Sequence, residues 1–243
     1  MDNKLAMSTH HIAYLDFLGM KNFIKQDSEG KYLNKLNCIY QQALKQAEFY
    51  SNKKNANMLI KTKIFSDNIV IYISENAIDN NGFTPLEQII VIASYIQNVA
   101  LEEGFLLRGA ITTGQFYGSE LFVYGPALTE AVIMEEKEAI YPRIIIRNPM
   151  PPNINGFYVE RDRDGLLFVN NYALATITGS HITFQSFKDN MLSYLTKYKD
   201  DCKVRQKVMW AITFFNAFLK KLPDNKLFYK PLIIEEEVQK ATK

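Results

Sequence analysis

The chain has 243 residues, which is enough for one large α/β domain or for one domain with a C-terminal extension. Its 28 Lys and Arg residues nearly balance 26 Asp and Glu residues, which argues against a protein that mainly coats nucleic acid but leaves room for a small anionic ligand. The two cysteines lie far apart without a CxxC partner, and the three histidines are too scattered for a zinc cage. No stretch reaches the roughly 18 apolar residues that span a bilayer, and the N-terminal MDNKLAMSTHH lacks the pattern of a signal peptide. We therefore expect a cytoplasmic protein that does not insert into a membrane and does not bind nucleic acid.

The first hundred residues alternate between strand and helix patterns. HHIAYLDFLG predicts a short buried strand that ends at an acid and a glycine, and apolar side chains at helical spacing predict a helix over 32–50. MLIKTKIF and IVIYIS, separated by Ser66, Asp67 and Asn68, predict a hairpin. A second helix is expected to begin at Thr84-Pro85 and to end at Gly104.

The rest of the chain continues this pattern and then becomes helical. FLLRGAITTG and SELFVYG predict a further pair of strands, a third helix begins at Gly125-Pro126, and AIYPRIIIR predicts another strand because Pro142 prevents the helix from continuing. GFYVERDRDGLLFVNNY predicts a hairpin, and QSFKDNMLSYLTKYKD and CKVRQKVMWAITFFNAFLKK predict two helices. This order indicates an α+β sandwich with a split βαβ arrangement rather than a doubly wound parallel sheet.

Asp16 and Asp67 are the residues that most clearly suggest chemistry. Each lies at the edge of an apolar β segment, where a carboxylate is costly unless it is paired or binds a cation. If the first strand lies beside the hairpin, both acids emerge at the same end of one sheet and could hold Mg²⁺ or Mn²⁺ together with phosphate oxygens. Taken singly, each acid could also be an ordinary cap or turn residue.

Four segments resemble class III nucleotidyl cyclase domains in their order and spacing: YLDFLG, KIFSDNIVIY, LRGAITTGQFYG and YGPALTEAVIMEE. The resemblance covers about residues 10–147. It implies a ferredoxin-like sandwich. With the two helices predicted after it, we expect residues 1–180 to form the catalytic domain and residues 181–243 to form a C-terminal helical extension packed on it. The resemblance also implies that Asp16 and Asp67 bind two Mn²⁺ or Mg²⁺ ions, with the Phe17 carbonyl beside them.

The nucleotide-reading positions depart from the usual pattern of that family. By resemblance, Lys63 corresponds to the base-reading lysine of adenylate cyclases, whereas Phe122 stands where they keep the acid that reads adenine. A phenyl ring cannot accept a hydrogen bond from an exocyclic amine, so the usual selectivity for ATP is not expected.

The catalytic positions depart from it as well. The family's catalytic Asn and Arg correspond to Thr129 and Ile133, and Ile133 cannot stabilise a developing phosphoryl charge. Arg108, in the middle of LLRGAI, is the first candidate for a replacement cation and Arg143, in YPRIII, is the second. For both arginines the alternative is a structural ion pair, for instance with Glu135 or Glu136.

The combination DFLG, FSDNIVIY, LRGAI, GPAL-x-EA and YPRI is similar to the bacterial pyrimidine cyclases of the Pycsar antiphage system. That resemblance implies conversion of UTP or CTP to the cyclic monophosphate in antiviral defence, by a homodimer with active sites at its interface. The product would activate a separate effector. Three alternatives remain open at this point: a purine cyclase, an inactive cyclase-like binding or dimerisation module, and an unrelated α+β interaction protein.

Overall fold

The computed structural model describes residues 5–51, 60–77, 82–147, 156–177, 181–235 and 238. Helices and strands alternate through the first two thirds of these residues, and helices alone follow. The strands are β1 (Ser8–Phe17), β2 (Lys61–Phe65), β3 (Asn68–Ser74), β4 (Leu107–Gly118), β5 (Val123–Tyr124), β6 (Ile144–Ile146), β7 (Val159–Arg161) and β8 (Leu167–Val169). The helices are α1 (Met20–Lys25), α2 (Lys31–Tyr50), α3 (Pro85–Glu102), α4 (Pro126–Lys137), α5 (Asn171–Ile177), α6 (His181–Lys197) and α7 (Cys202–Lys221), and a 3₁₀ segment covers Asp224–Leu232.

Within the described residues the strands form one sheet in the order β2-β3-β1-β4-β6-β8-β7, and β5 pairs with the end of β4. The pairs are antiparallel except β4 with β6, which is parallel. The part β2-β3-β1-β4, with α1 and α2 before β2 and α3 between β3 and β4, is the split βαβ arrangement. The predicted α+β sandwich is therefore confirmed.

The two faces of the sheet are covered by different helices. Alternate residues of β1 point to opposite faces, so Ala13, Leu15 and Phe17 join the large core beneath α1, α2 and α3. Tyr14 packs instead on the other face, in clusters that include Ala110 of β4 and Ala131 and Met134 of α4. This second face carries the candidate site described below.

Local sequence signals account for the ends of α3. Thr84 forms a capping box with Glu87, in which the Thr84 side chain accepts from the Glu87 amide and the Glu87 carboxylate accepts from the Thr84 amide. Pro85 lies in the first turn, where a backbone N–H would have no hydrogen-bond acceptor within the helix, so proline is tolerated there. Gly104 follows the helix with a left-handed φ of 84°, as predicted.

The helices α6 and α7 pack on the preceding part of the chain. Leu101 and Leu106 share an apolar cluster with Phe187, Phe215 and other residues of these two helices. The predicted boundary at residue 180 falls within 178–180, outside the described residues. Within the described residues, no helix combines the length and the apolarity that crossing a bilayer requires.

Some predicted elements need correction, and one helix was missed. AIYPRIIIR contains a strand only over Ile144–Ile146, because the Arg143 amide turns back to the Tyr141 carbonyl oxygen at 2.7 Å. The end of the predicted last hairpin, NNY, begins helix α5 instead. Helix α1, of six residues, was missed because it is too short to show a periodic pattern.

Candidate active site

Asp16 and Asp67 lie at the same end of the sheet. Asp16 pairs with Asn68 in the β1–β3 register, and the Phe17 amide donates to the Asp67 carbonyl oxygen at 3.3 Å. Asp67 occupies the β2–β3 turn directly after Ser66, whose positive φ of 54° makes the turn tight. Burial raises the pKa of the Asp16 carboxyl, Arg108 opposes this shift, and the Asp67 charge raises it further. The two carboxylates therefore influence each other electrostatically.

Arg108 connects the acid of β1 to helix α4. The register pairs it with Asp16, and its Nε lies 3.4 Å from an Asp16 carboxylate oxygen. The same nitrogen forms an ion pair with Glu135, whose side chain is only 3% exposed. The sequence suggested an ion pair with Glu135 as one role for Arg108, and the structure shows this ion pair. Arg108 also lies next to Asp16 of the acid pair.

Glu135 is the most perturbed acid of this group. Burial raises its pKa to about 7, Arg108 opposes the shift, and the neighbouring Asp16 charge adds to it. Because the carboxyl faces another acid and a guanidinium, its protonation state depends on both neighbours.

Tyr14 extends the polar cluster along β1. Its hydroxyl donates to the Asn68 side-chain oxygen at 2.6 Å. Burial raises the pKa of this phenol to about 12, and the Asp16, Glu135 and Asp67 charges add to the shift. The Tyr14 ring packs against the apolar residues of the α4 face, while its hydroxyl belongs to the polar cluster.

Lys207 of α7 lies near this cluster, because α7 packs on the same face of the sheet through Trp210 and Phe214. It is half-buried, and its charge interacts with those of Arg108, Asp16 and Glu135. Lys207 was not identified as a candidate site residue from the sequence. A usable signal was present, since Lys207 lies three residues before Trp210 and seven before Phe214, on one face of the helix.

Lys63 and Phe122, the proposed base-reading positions, lie close together in space. The Lys63 ammonium donates to the Glu120 carbonyl oxygen in the loop between β4 and β5. The Phe122 ring, 43% exposed, contacts Tyr117 with ring centroids 5.3 Å apart. The loop that carries Phe122 is thus held beside β2.

Phe17 can take part only through its backbone. Its side chain is 1% exposed and packs against the rings of Tyr40 and Phe105, on the face opposite to that of Asp16. The prediction for Phe17 concerned its carbonyl group and not its ring.

Thr129 and Ile133 lie on the outer face of α4. Both are exposed, and they line a groove with Tyr124 and Leu128. Glu135, in contrast, points inward to Arg108. Within one copy of the chain, the two positions that the resemblance suggested as a catalytic pair therefore face away from the sheet.

Arg143 forms a separate buried cluster. Its side chain is 1% exposed, forms ion pairs with Asp162 and Asp164, and lies beside the stacked rings of Tyr141 and Trp210. The Trp210 Nε1 donates to an Asp162 carboxylate oxygen at 2.8 Å. The partners that the sequence suggested, Glu135 and Glu136, are replaced by two acids of the β7–β8 hairpin.

The acid pair suits a hard divalent ion. Among the described residues, no group of three or more His, Cys, Asp and Glu side chains could hold a metal ion alone. Two carboxylates lie at one end of the sheet, and burial, with a further contribution from the Asp67 charge, raises the pKa of Asp16. A cation between the two carboxylates would stabilise both in their charged form. Such a pair fits Mn²⁺ or Mg²⁺, for which phosphate and water oxygens commonly complete the coordination.

Comparisons with known proteins bear on the fold. No protein-family model and no curated protein matches the chain. The catalytic core of a rhodopsin-guanylyl cyclase with converted specificity, solved in complex with ATPαS, is 12% identical, with a TM-score of 0.50, over 68% of this chain and 97% of that structure. The monomeric guanylyl cyclase domain of the RhoGC fusion protein from the aquatic fungus Blastocladiella emersonii is 12% identical, with a TM-score of 0.51, over 68% of this chain and 96% of that one. The chain therefore has the fold of nucleotidyl cyclase domains, as predicted.

Proposed function

We propose that this protein is a nucleotidyl cyclase, which converts a nucleoside triphosphate to the 3′,5′-cyclic monophosphate and pyrophosphate. The observation that carries the proposal is the convergence of Asp16 and Asp67 at one end of the sheet, in a domain with the cyclase fold. Two carboxylates in this arrangement suit a metal-bound triphosphate.

Asp16 and Asp67, with the Phe17 carbonyl oxygen, would hold two divalent ions, Mn²⁺ or Mg²⁺. Ions bound there would lower the pKa of the ribose 3′ hydroxyl and neutralise triphosphate charge. The 3′ oxygen forms a bond to the α-phosphorus, the bond from that phosphorus to the pyrophosphate breaks, and the hydroxyl proton leaves to solvent. This reaction depends mainly on positioning and on stabilisation of charge.

In the proposed mechanism Arg108 has two roles. Its contact with Asp16 orients that carboxylate, and its guanidinium supplies positive charge at the end of the sheet where the phosphates would bind. Arg143 acts as a positioning residue, because its ion pairs with Asp162 and Asp164 fix the β7–β8 hairpin against α7.

We also propose a homodimer with active sites at its interface. The outer face of α4, the β4–β5 loop and β5 expose large apolar side chains, with Leu121 88%, Tyr124 64% and Ile133 43% exposed. A second copy covering this surface would bury them and would bring Thr129 to the acid pair of its partner. The Thr129 hydroxyl could then donate a hydrogen bond to a phosphate oxygen.

For the substrate we propose a pyrimidine triphosphate, UTP or CTP, and for the product a signal in antiviral defence that is read by a separate effector. Phe122 supports this choice because its ring cannot accept from the adenine amine. The resemblance to the pyrimidine cyclases favours the same substrates, whereas the fold fits a purine cyclase equally well.

The direct test is incubation of the purified protein with Mn²⁺ and, separately, ATP, GTP, CTP and UTP, with product detection by mass spectrometry. We expect cyclic UMP or cyclic CMP. Formation of cyclic AMP or cyclic GMP instead would support the purine alternative. Consumption of none of the four would refute the proposed activity.

Variants connect the activity to the acid pair. Asp16→Ala and Asp67→Ala should abolish turnover, while Asp189→Asn, on the exposed side of α6, should retain it. Circular dichroism would verify that each variant is folded.

An inactive binding module is the second candidate, and the exposed Ile133 favours it because α4 carries no cation at that position. Such a module would bind a Mn²⁺–triphosphate complex without forming product.

A further inference from the structure

We infer that Lys207 of α7 is a substrate-binding residue that contacts the triphosphate in the candidate active site. This inference rests on the proposed function. Lys207 lies in the C-terminal helix α7, outside the strands that carry Asp16 and Arg108. The basis of the inference is the orientation of α7, the lack of a partner for the ammonium group, and the charges around it.

The contacts of α7 fix which of its faces points to the sheet. Trp210 packs on Phe168 with ring centroids 5.5 Å apart, and its Nε1 donates to Asp162 at 2.8 Å. Phe214, one turn later, packs on Phe168 at 4.9 Å. Lys207 lies one turn before Trp210 on this same face, because three and seven residues correspond to about one and two helical turns. It therefore extends from the sheet-facing side of α7 and not from its solvent side.

The charges near Lys207 identify the site that it faces. Its charge interacts with those of Asp16, Glu135 and Arg108, all of which belong to the candidate active site. Asp201, at the N-cap of α7, is the other acid that acts on it. Trp210 and Phe214 also pack against the apolar cluster that contains Tyr14, Ala110 and Met134, so this side of α7 covers the sheet face that carries the candidate site.

The ammonium group has no direct partner in the part of the chain that the structure describes. Among those residues no carboxylate lies within 4.0 Å of it, and no hydrogen bond to it is formed. Burial lowers the pKa of Lys207, and the nearby Arg108 charge lowers it further, in opposition to the attraction of the acids. A half-buried cation is stabilised when an anion binds next to it.

A triphosphate is the anion that fits this position. Arg108 already contacts two carboxylates, Asp16 and Glu135, so it can offset only part of the charge of a triphosphate. Ile133 contributes no charge from α4. Lysine is a mobile point charge with three donors, which suits phosphate oxygens whose positions change during the reaction. Lys207 would thus supply the uncommitted positive charge next to the metal-binding acids.

The inference is tested with inorganic triphosphate and Mn²⁺, a probe that contains no ribose and cannot be cyclised. Lys207→Met keeps most of the apolar stem and removes the charge. Lys203→Met, an exposed position one turn earlier on α7, is the matched control. Isothermal titration calorimetry should show binding of Mn²⁺–triphosphate that is at least about tenfold weaker in Lys207→Met, as expected for a lost charge-assisted contact. The control should stay within about twofold of the wild type.

Lys207→Arg should recover much of the lost affinity, because it restores a cation at the same position. Wild-type affinity in Lys207→Met, equal losses in both methionine variants, or no binding by the wild type would each overturn the inference. If Lys207→Met does not fold, Lys207→Gln is measured against the same thresholds. Selective loss of binding together with no cyclic product from any triphosphate would instead leave the inference standing and refute the cyclase activity.

Discussion

Glu135 should make the stability of the protein depend on pH in an unusual direction. Its side chain is 3% exposed and faces Arg108 and Asp16, and its pKa is raised from 4.5 to about 7, mainly by burial. The unfolded chain releases this proton as the pH rises through its ordinary value of about 4.5. The folded chain keeps it until about pH 7.

The size of this pH dependence is set by the difference between the Glu135 pKa in the unfolded chain, 4.5, and in the folded chain, about 7. Below pH 4.5 both states bind the proton, so the contribution is constant there. Between pH 4.5 and 7 the unfolded state loses the proton first, and the free energy of unfolding falls as the pH rises. The total change is about 3 kcal/mol, since each tenfold change in proton affinity corresponds to about 1.4 kcal/mol.

Urea unfolding of the wild type and of Glu135→Gln, at pH values from 4 to 8 and in EDTA, measures this change. Glutamine cannot titrate, so the stability of the wild type relative to Glu135→Gln should fall by about 3 kcal/mol across the series. Glu136→Gln, at the exposed neighbouring position, should follow the wild type. Parallel curves for the wild type and Glu135→Gln would refute the burial argument.

Two further substitutions test the packing around the site. Asp162→Ala should lower the free energy of unfolding by about 3 kcal/mol, because it leaves the buried Arg143 short of one ion pair and the Trp210 Nε1 without its acceptor. Gly118→Ala should cost about 1–3 kcal/mol, since its methyl group would lie 2.5 Å from the Tyr72 ring. Urea unfolding at pH 7 measures both.

Matched controls are available for Asp162→Ala and Gly118→Ala. Asp164→Ala removes the more exposed partner of Arg143 and should cost clearly less than Asp162→Ala. Gly114→Ala, whose methyl group would meet Ala127 at an ordinary 3.4 Å, should cost less than Gly118→Ala. Reversed order in either pair would contradict the contacts described.

Much of the fold could be predicted because its elements are long and periodic. The amphipathic pattern over 32–50 matches α2 (Lys31–Tyr50), and the Thr84-Pro85 signal locates the start of α3. Helix α5 was not predictable in this way, since its seven residues are buried on nearly all sides and show no polar face.

The candidate site could be predicted only in part. The positions of Asp16 and Asp67 at strand ends suggested that they meet, and the antiparallel register of β1 and β3 brings them together. The position of Lys207 depends on how α7 packs on the sheet through Trp210 and Asp162, which are 48 residues apart in sequence. Sequence periodicity identifies the face of a helix but not the surface that it will cover.

The central claim is that Asp16 and Asp67 hold the same divalent ion. Titration of Mn²⁺ into the wild type, Asp16→Asn, Asp67→Asn and the double variant, with inorganic triphosphate present, tests it directly. We predict that each single substitution weakens binding at least about tenfold and that the double variant is little worse than either, because residues that share one ligand are not additive. Unchanged Mn²⁺ affinity in either single variant, or losses that simply add in the double variant, would contradict the claim.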